Sequence, residues 1–179
     1  MAFQYDLSSW EDRLGSFDWA SGFGIIANYT WQDFTGGQIT DDPSGRGEDI
    51  FFAANGVTGL EQVRGLLDFS ENAYNLTGYY EKFGLSARAR WTWRDSFRTL
   101  DTAAGASLNS TLGFPTVTAA RGQLNASINY DITEQITIGV EGVNLTTSDI
   151  DQFCVNDNAL FCFQGLPDRR ITFGASFTY

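Results

Sequence analysis

The sequence predicts an all-β fold, an antiparallel up-and-down segment of a transmembrane β-barrel. Three observations predict it. Apolar and polar residues alternate with period two along segments of about 9–11 residues, the length a tilted strand needs to cross a bilayer. The connections between segments alternate short and long, as in barrels with tight periplasmic turns and long outer loops. Aromatic residues favour segment ends, where interfacial anchors belong.

The elements follow in order. A short opening strand sets Phe3 and Tyr5 against Gln4 and Asp6, and residues 8–21 make an intermediate connection. Residues 23–33 place Ile25, Ala27, Tyr29 and Trp31 opposite Asn28, Thr30 and Gln32. Residues 73–81 place Tyr74, Leu76 and Tyr80 opposite Ala73, Asn75, Thr77 and Glu81. The clearest alternation is 84–94, with Leu85, Ala87, Ala89, Trp91 and Trp93 on one face and Ser86, Arg88, Arg90, Thr92 and Arg94 on the other. Residues 122–130 set Leu124, Ala126, Ile128 and Tyr130 against Gln123, Asn125, Ser127 and Asn129. Residues 135–142 set Ile136, Ile138 and Val140 against Thr137, Gly139 and Glu141. The closing segment sets Ile171, Phe173, Ala175, Phe177 and Tyr179 against Arg170, Thr172, Gly174, Ser176 and Thr178.

That makes about seven strands. Lys82–Phe83–Gly84 and Asp131–Ile132–Thr133–Glu134 are expected as tight turns, and 35–71, 97–120 and 147–168 as long loops rich in Gly, Asp, Asn, Ser and Thr. Within the first of these, Leu60, Val63, Leu66 and Leu67 recur at helical spacing. A short helix and an early start of the next strand both fit.

Alternation alone does not say which face meets water. A soluble sandwich or small barrel hides its apolar face inside, whereas a wide membrane barrel turns it to lipid. The polar faces here carry Asn, Thr, Ser and Gln with scattered Arg and Glu, unlike the Lys- and Glu-rich surface of a soluble domain. With a rise of roughly 2.3 Å in depth per residue, Trp93 sits about 18 Å from Leu85, near the far side of an apolar band. Tyr80, Tyr130 and Tyr179 fall at the opposite ends of their strands.

Composition narrows the function. Charged residues are 18%, the net charge is −11, and there is no His. Such acidity argues against nucleic acid as a partner. Without His, and with no nucleophile–base pairing in the pattern, no catalytic site is expected. No cofactor is implied. Asp41, Asp42, Glu48 and Asp49 cluster without calcium-loop spacing and read as a solvated acidic loop, so no metal site is expected. Gly22, Gly24 and Ala27 match a dinucleotide fingerprint but open a strand and precede no helix. The Asn-X-Ser/Thr triplets at Asn28, Asn75, Asn109, Asn125 and Asn144 read mostly as a polar wall that spells the motif. Arg88, Arg90 and Arg94 are expected to line the lumen and to pair with acids such as Glu81 and Glu141, with an anion-binding path as the sharper alternative. Cys154 and Cys162 are expected to form a disulfide in an oxidising compartment; two free thiols are the alternative.

The segments YNLTGYYEKFGLSARARWTWR (74–94), GQLNASINYDITEQITIGVEGVNLT (122–146) and RRITFGASFTY (169–179) resemble the C-terminal strands of TonB-dependent receptors. The hairpin around Tyr80–Gly84 and the stretch Glu141–Gly142–Val143–Asn144–Leu145 carry the resemblance most specifically. It implies a barrel of about 22 strands in the outer membrane of a Gram-negative bacterium, of which this chain supplies the C-terminal part. It further implies a plug domain, the rest of the barrel and outer-membrane lipid as partners, and energy from TonB to import a nutrient such as a siderophore–iron complex, cobalamin or a glycan. Phe177 and Tyr179 would form the aromatic-ended signal read by the barrel-assembly machinery. Ligand contacts would come from the outer loops, through Trp31, Phe153, Phe161 and Phe163.

The opening residues lack a basic segment followed by an apolar core, so the chain is expected to be a fragment without signal peptide or plug. Two alternatives stand beside this. One is a complete barrel of about eight strands, an adhesin or structural protein, with 46–70 supplying the extra strand. The other is a soluble β-sandwich or ligand-binding barrel.

Overall fold

The computed structural model describes residues 1–10, 13, 15–33, 68–100, 116–154 and 160–178. The acidic cluster at 41–49, the 60–67 stretch and Tyr179 lie outside those residues, as do Asn109 and the Cys154 side chain. Eleven strands are described: β1 (Ala2–Asp6), β2 (Phe23–Trp31), β3 (Asn72–Lys82), β4 (Leu85–Arg94), β5 (Phe97–Leu100), β6 (Thr116–Thr118), β7 (Arg121–Thr133), β8 (Ile136–Val143), β9 (Ile150–Cys154), β10 (Leu160–Gly165) and β11 (Arg170–Phe177). Two short 3-10 helices, Ser8–Trp10 and Gly15–Gly22, bridge β1 and β2.

The larger sheet has seven strands in the order β1-β2-β3-β4-β7-β8-β11, antiparallel throughout. These are the segments that alternation singles out, with ends shifted by a few residues. The sheet is open, and β1 and β11 are its edges. β2 pairs β3 along its whole length, from Phe23↔Tyr80 to Trp31↔Asn72; of the stretch 46–70 proposed as an extra strand, residues 46–67 lie outside the described residues.

Register carries each strand's apolar set onto one common face. Ile25, Gly78, Ala89, Ala126, Gly142 and Ile171 stand opposite one another in a row across six strands. The next row is Phe23, Tyr80, Ala87, Ile128, Val140 and Phe173. Small and aliphatic residues dominate the middle of this face. Rings crowd its two ends. Tyr74 stacks on Trp93 at 5.2 Å between centroids, with Tyr29 and Trp31 beside them. At the other end Phe23 meets Tyr80 edge-to-face at 4.8 Å. Among the described residues none covers this face: Phe173 is 81% exposed, and Phe3, Ile25, Leu76, Ile128, Ile171 and Phe177 are all exposed. Among the described residues Val117, on β6, is the one buried apolar side chain.

The second sheet corrects the expectation of loops at 97–120 and 147–168. It has four strands in the order β10-β9-β6-β5. That order repeats the wall order β11-β8-β7-β4, so the hairpins β5/β6 and β9/β10 prolong four wall strands past a break. Each break has a local cause. Ser96 N–H bonds the Asp95 carboxylate at 3.0 Å, turning the chain between β4 and β5. After β8 the chain turns on Asn144 and Thr147, both left-handed at φ 54° and 51°. Asn144 is 3% exposed. Its backbone N–H reaches Asn125 Oδ1 at 2.9 Å, its Nδ2 donates to the Pro167 carbonyl at 2.7 Å, and its Oδ1 accepts Ser148 N–H at 3.0 Å. One side chain thus ties the end of β8 to the approach to β11.

At the opposite end the connections are tight. Lys82 pairs Leu85 across a two-residue turn with Phe83 at φ 57° and Gly84 at φ 71°. Left-handed values at both positions make a type I′ turn, which suits the twist of the flanking strands and favours Asn-Gly. A phenylalanine there is strained. Phe83→Asn is expected to raise stability by about 1 kcal/mol, read as a higher urea midpoint of the chain refolded in micelles. An unchanged or lower midpoint would show that the ring, 5.2 Å from the Lys82 ammonium, makes contacts worth as much. The turn after β7 lies at Glu134–Gln135, since β7 runs on to Thr133; the expected turn at 131–134 is displaced along the chain. Lys82 also closes the helical connection onto the sheet, through Asp18 Oδ1 at 2.7 Å and Ser21 Oγ at 2.6 Å.

Candidate functional site

The polar face of the wall is where the sequence locates the lumen-lining residues, and register brings their neighbours together. Arg88 lies diagonal to Glu81, with a closest N–O distance of 3.9 Å and both side chains more than half exposed. Such a pair contributes a few tenths of a kcal/mol at most, roughly the low end for exposed ion pairs. Arg88 also rests 5.9 Å from the Tyr79 ring. Arg90 donates to Asn75 Oδ1 at 3.2 Å, so its partner is a neutral amide and not the acid expected. Glu141 stands between Ser127 and Thr172. Among the described residues, Arg88–Glu81 is the one close approach between these arginines and Glu81 or Glu141.

Close packing on this face uses glycine in two places. A side chain at Gly24 would collide with the Tyr79 ring at 2.2 Å, and one at Gly139 with Asn129 Oδ1 at 2.1 Å. Gly174 stands directly opposite Gly139, and the pair leaves a shallow hollow of about 290 Å³ rimmed by Asn129, Thr137, Glu141, Thr172 and Ser176.

The more structured feature lies at the break between the two sheets. Arg94 ends β4 and Arg121 begins β7, and the two are direct register partners. Arg94 Nε donates to Ser70 Oγ at 2.6 Å, its NH2 bonds the Asp68 backbone carbonyl, and its guanidinium lies 3.8 Å from the Phe97 ring centre. Ser70 is itself buried and donates to the Asp95 carbonyl at 3.1 Å. Arg121 donates from NH2 to Gln123 Oε1 at 3.2 Å, and Gln123 passes a hydrogen bond to Asn125 Oδ1 at 2.9 Å. The second sheet then adds Phe97, Thr99, Thr118, Ile150 and Gln152 above these arginines. Together with Thr92, Ala119 and Gln123 they enclose a pocket of about 420 Å³. Gln152 Nε2 donates to Thr118 Oγ1 at 3.2 Å, bracing its upper wall. Most of the lining surface is apolar, with two guanidinium groups and a few hydroxyls and amides set into it, so the cavity suits a ligand that joins an apolar body to a negatively charged group.

The aromatic residues nominated from sequence do not form one site. Phe153 and Phe161 meet edge-to-face at 5.8 Å across β9 and β10. Phe163 follows a bulge and pairs Gln152, on the pocket side of that sheet, while remaining exposed. Trp31 belongs to the apolar face of β2, where its indole N–H points to Glu71 Oε1 at 3.4 Å. It shares no sheet with the phenylalanines. Cys162 on β10 is disulfide-bonded. Phe177 ends β11 opposite Ile136.

Arg121 was not among the residues nominated from sequence. A signal for it exists, since it shares parity with Gln123, Asn125 and Ser127 on the polar face of β7. No family model matches the chain, and no curated protein or solved structure matches it.

Proposed function

We propose that the chain is a stretch of the wall of an outer-membrane β-barrel, the C-terminal strands of a TonB-dependent receptor that imports a nutrient such as a siderophore–iron complex, cobalamin or a glycan. The observation that carries the membrane part is the register of the apolar face. Seven strands align their apolar residues into continuous rows, and those rows lie open, flanked at both ends by Tyr, Trp and Phe. A soluble two-layer fold would seat a second layer on such a face. Lipid is the occupant that requires no further element, and an apolar band flanked by aromatic girdles is what a bilayer selects. The receptor part rests on the resemblance of 74–94, 122–146 and 169–179. On this reading the plug, the remaining strands, TonB and the assembly machinery are partners from outside the chain, and Phe153, Phe161 and Phe163 ride on the outward-facing hairpins.

The test of the membrane part uses the intact chain refolded with bilayers that carry brominated acyl chains. Trp91 and Trp93 project from the lipid face on this reading, so a marked loss of tryptophan fluorescence is expected. A chain that stays monomeric in plain buffer, with fluorescence untouched by the brominated lipid, would refute it. For the receptor part, the expected context is a plug-encoding frame continuous with this one; a signal peptide joined directly to Met1 would favour a small complete barrel instead.

A further inference from the structure

We propose that the pocket between Arg94 and Arg121 binds a soluble oxyanion, a ligand bearing carboxylate or phosphate groups. The site stands on the geometry of the pocket and not on what covers the apolar face. Joined to the proposed function, it names the chemical class of the imported ligand.

The argument begins with charge. Arg94 and Arg121 occupy directly opposed positions on neighbouring strands. Like charges so placed repel, and half-burial of both side chains strengthens the repulsion. Among the described residues neither guanidinium is ion-paired with a carboxylate: their partners are a serine hydroxyl, a backbone carbonyl, a glutamine oxygen and an aromatic ring. The chain as a whole carries a net charge of −11, yet here it places two cations face to face. Screening over about 8 Å at physiological salt leaves the local pair in control of the local potential. An oxyanion held between the two guanidinium groups would offset that repulsion.

A second observation points the same way. Arg121 Nε is buried without a hydrogen-bond partner. A buried donor on a charged group is costly to leave unmet, and guanidinium is shaped to grip an oxyanion with two parallel N–H bonds. The pocket beside it has room for more than water. Its volume of about 420 Å³ falls in the range of small-molecule sites; its surface is mostly apolar, and Thr92, Thr99, Thr118, Gln123 and Gln152 set a few neutral hydrogen-bonding groups near the charged pair. Phe97 lies across the Arg94 guanidinium at 3.8 Å and holds its plane in place.

The experiment is equilibrium dialysis of the intact chain, refolded in uncharged detergent at low ionic strength, against radiolabelled citrate and, separately, inorganic phosphate. Saturable binding of at least one is expected. Arg121→Gln and Arg94→Gln should each weaken it by about tenfold or more, and Arg121→Lys should keep part of it, because charge remains while the fork is lost. Arg13→Gln, at the opposite end of the sheet beside Trp10, should change nothing. No saturable binding by the folded chain, or binding that both glutamine variants leave unchanged, overturns the proposal. If Arg121→Gln fails to fold by circular dichroism, Arg94→Gln and Arg121→Lys decide. A lipid headgroup carries the same chemistry, so short-chain phosphatidylglycerol is the third ligand; binding of that lipid with no binding of citrate or phosphate also overturns a soluble ligand. Brominated-lipid quenching on the same preparation reports the membrane reading separately, so the two can fail independently.

Discussion

Phe173→Arg should abolish stable insertion of the sheet into bilayers or micelles, while Thr172→Arg, one residue away, should be tolerated. Phe173 lies mid-strand on the apolar face and Thr172 on the polar one. If lipid covers the apolar face, an arginine near mid-depth costs about 2–4 kcal/mol, and the lost phenylalanine burial adds about 2 kcal/mol more. Domains of this size are stable by only about 5–15 kcal/mol, so the change is large. The same substitution separates the readings by sign. At 81% exposure in water Phe173 contributes almost no burial, and a soluble protein would accept arginine there with equal or better solubility. The measurement is the folded fraction after refolding into vesicles, followed by protection from protease. Equal protection of wild type and both variants would remove lipid from the apolar face.

Asn144→Ala carries the second large effect. The change deletes the donor to the Pro167 carbonyl and the acceptor for Ser148 N–H, bonds that the buried Asn144 side chain makes to two half-buried partners. It also puts a residue with a Cβ and no compensating hydrogen bonds at φ 54°. Two unmet half-buried groups and the left-handed backbone together cost roughly 2–4 kcal/mol. Asn144→Gly divides the terms, because glycine accepts the backbone angle and still lacks both bonds. The alanine variant is expected to lose the most in urea-unfolding midpoint and the glycine variant somewhat less. A loss under 1 kcal/mol for both would mean that the β8–β9 corner is held by something other than this side chain. The backbone bond from Asn144 N–H to Asn125 survives both changes, so the wall register should persist even where the hairpin above it loosens.

The seven wall strands were legible because each one is two-sided. Leu85 to Arg94 spells its two faces letter by letter, and the cross-strand partners confirm that the letters line up. The second sheet was not legible. Thr116–Val117–Thr118 is too short to show a period, and Phe97–Leu100 and Ile150–Cys154 lie in stretches rich in turn-forming residues. Their strand form comes from the wall strands that feed them, a tertiary cause that no local window contains. The site was half legible for a related reason. Arg94 closes the clearest alternation in the chain, but its opposition to Arg121 depends on the register of β4 against β7, which lie on either side of a long connection. The tight turn at Lys82–Phe83–Gly84 was legible from its glycine, but its type was not, since nothing about phenylalanine announces a left-handed conformation.

The direction of the two edge strands sets an arithmetic rule for assembly. β1 and β11 both run toward the end that holds the tight turns, as the first and last members of an odd antiparallel series must. Joining one edge to the other, or the edges of two identical copies standing the same way up, would force a parallel seam. A cylinder with only antiparallel neighbours needs an odd number of added strands, starting and finishing on ones that run the opposite way. If such a sheet closes into a barrel, identical copies side by side are a poor route to it, and strands running the opposite way would have to meet both edges.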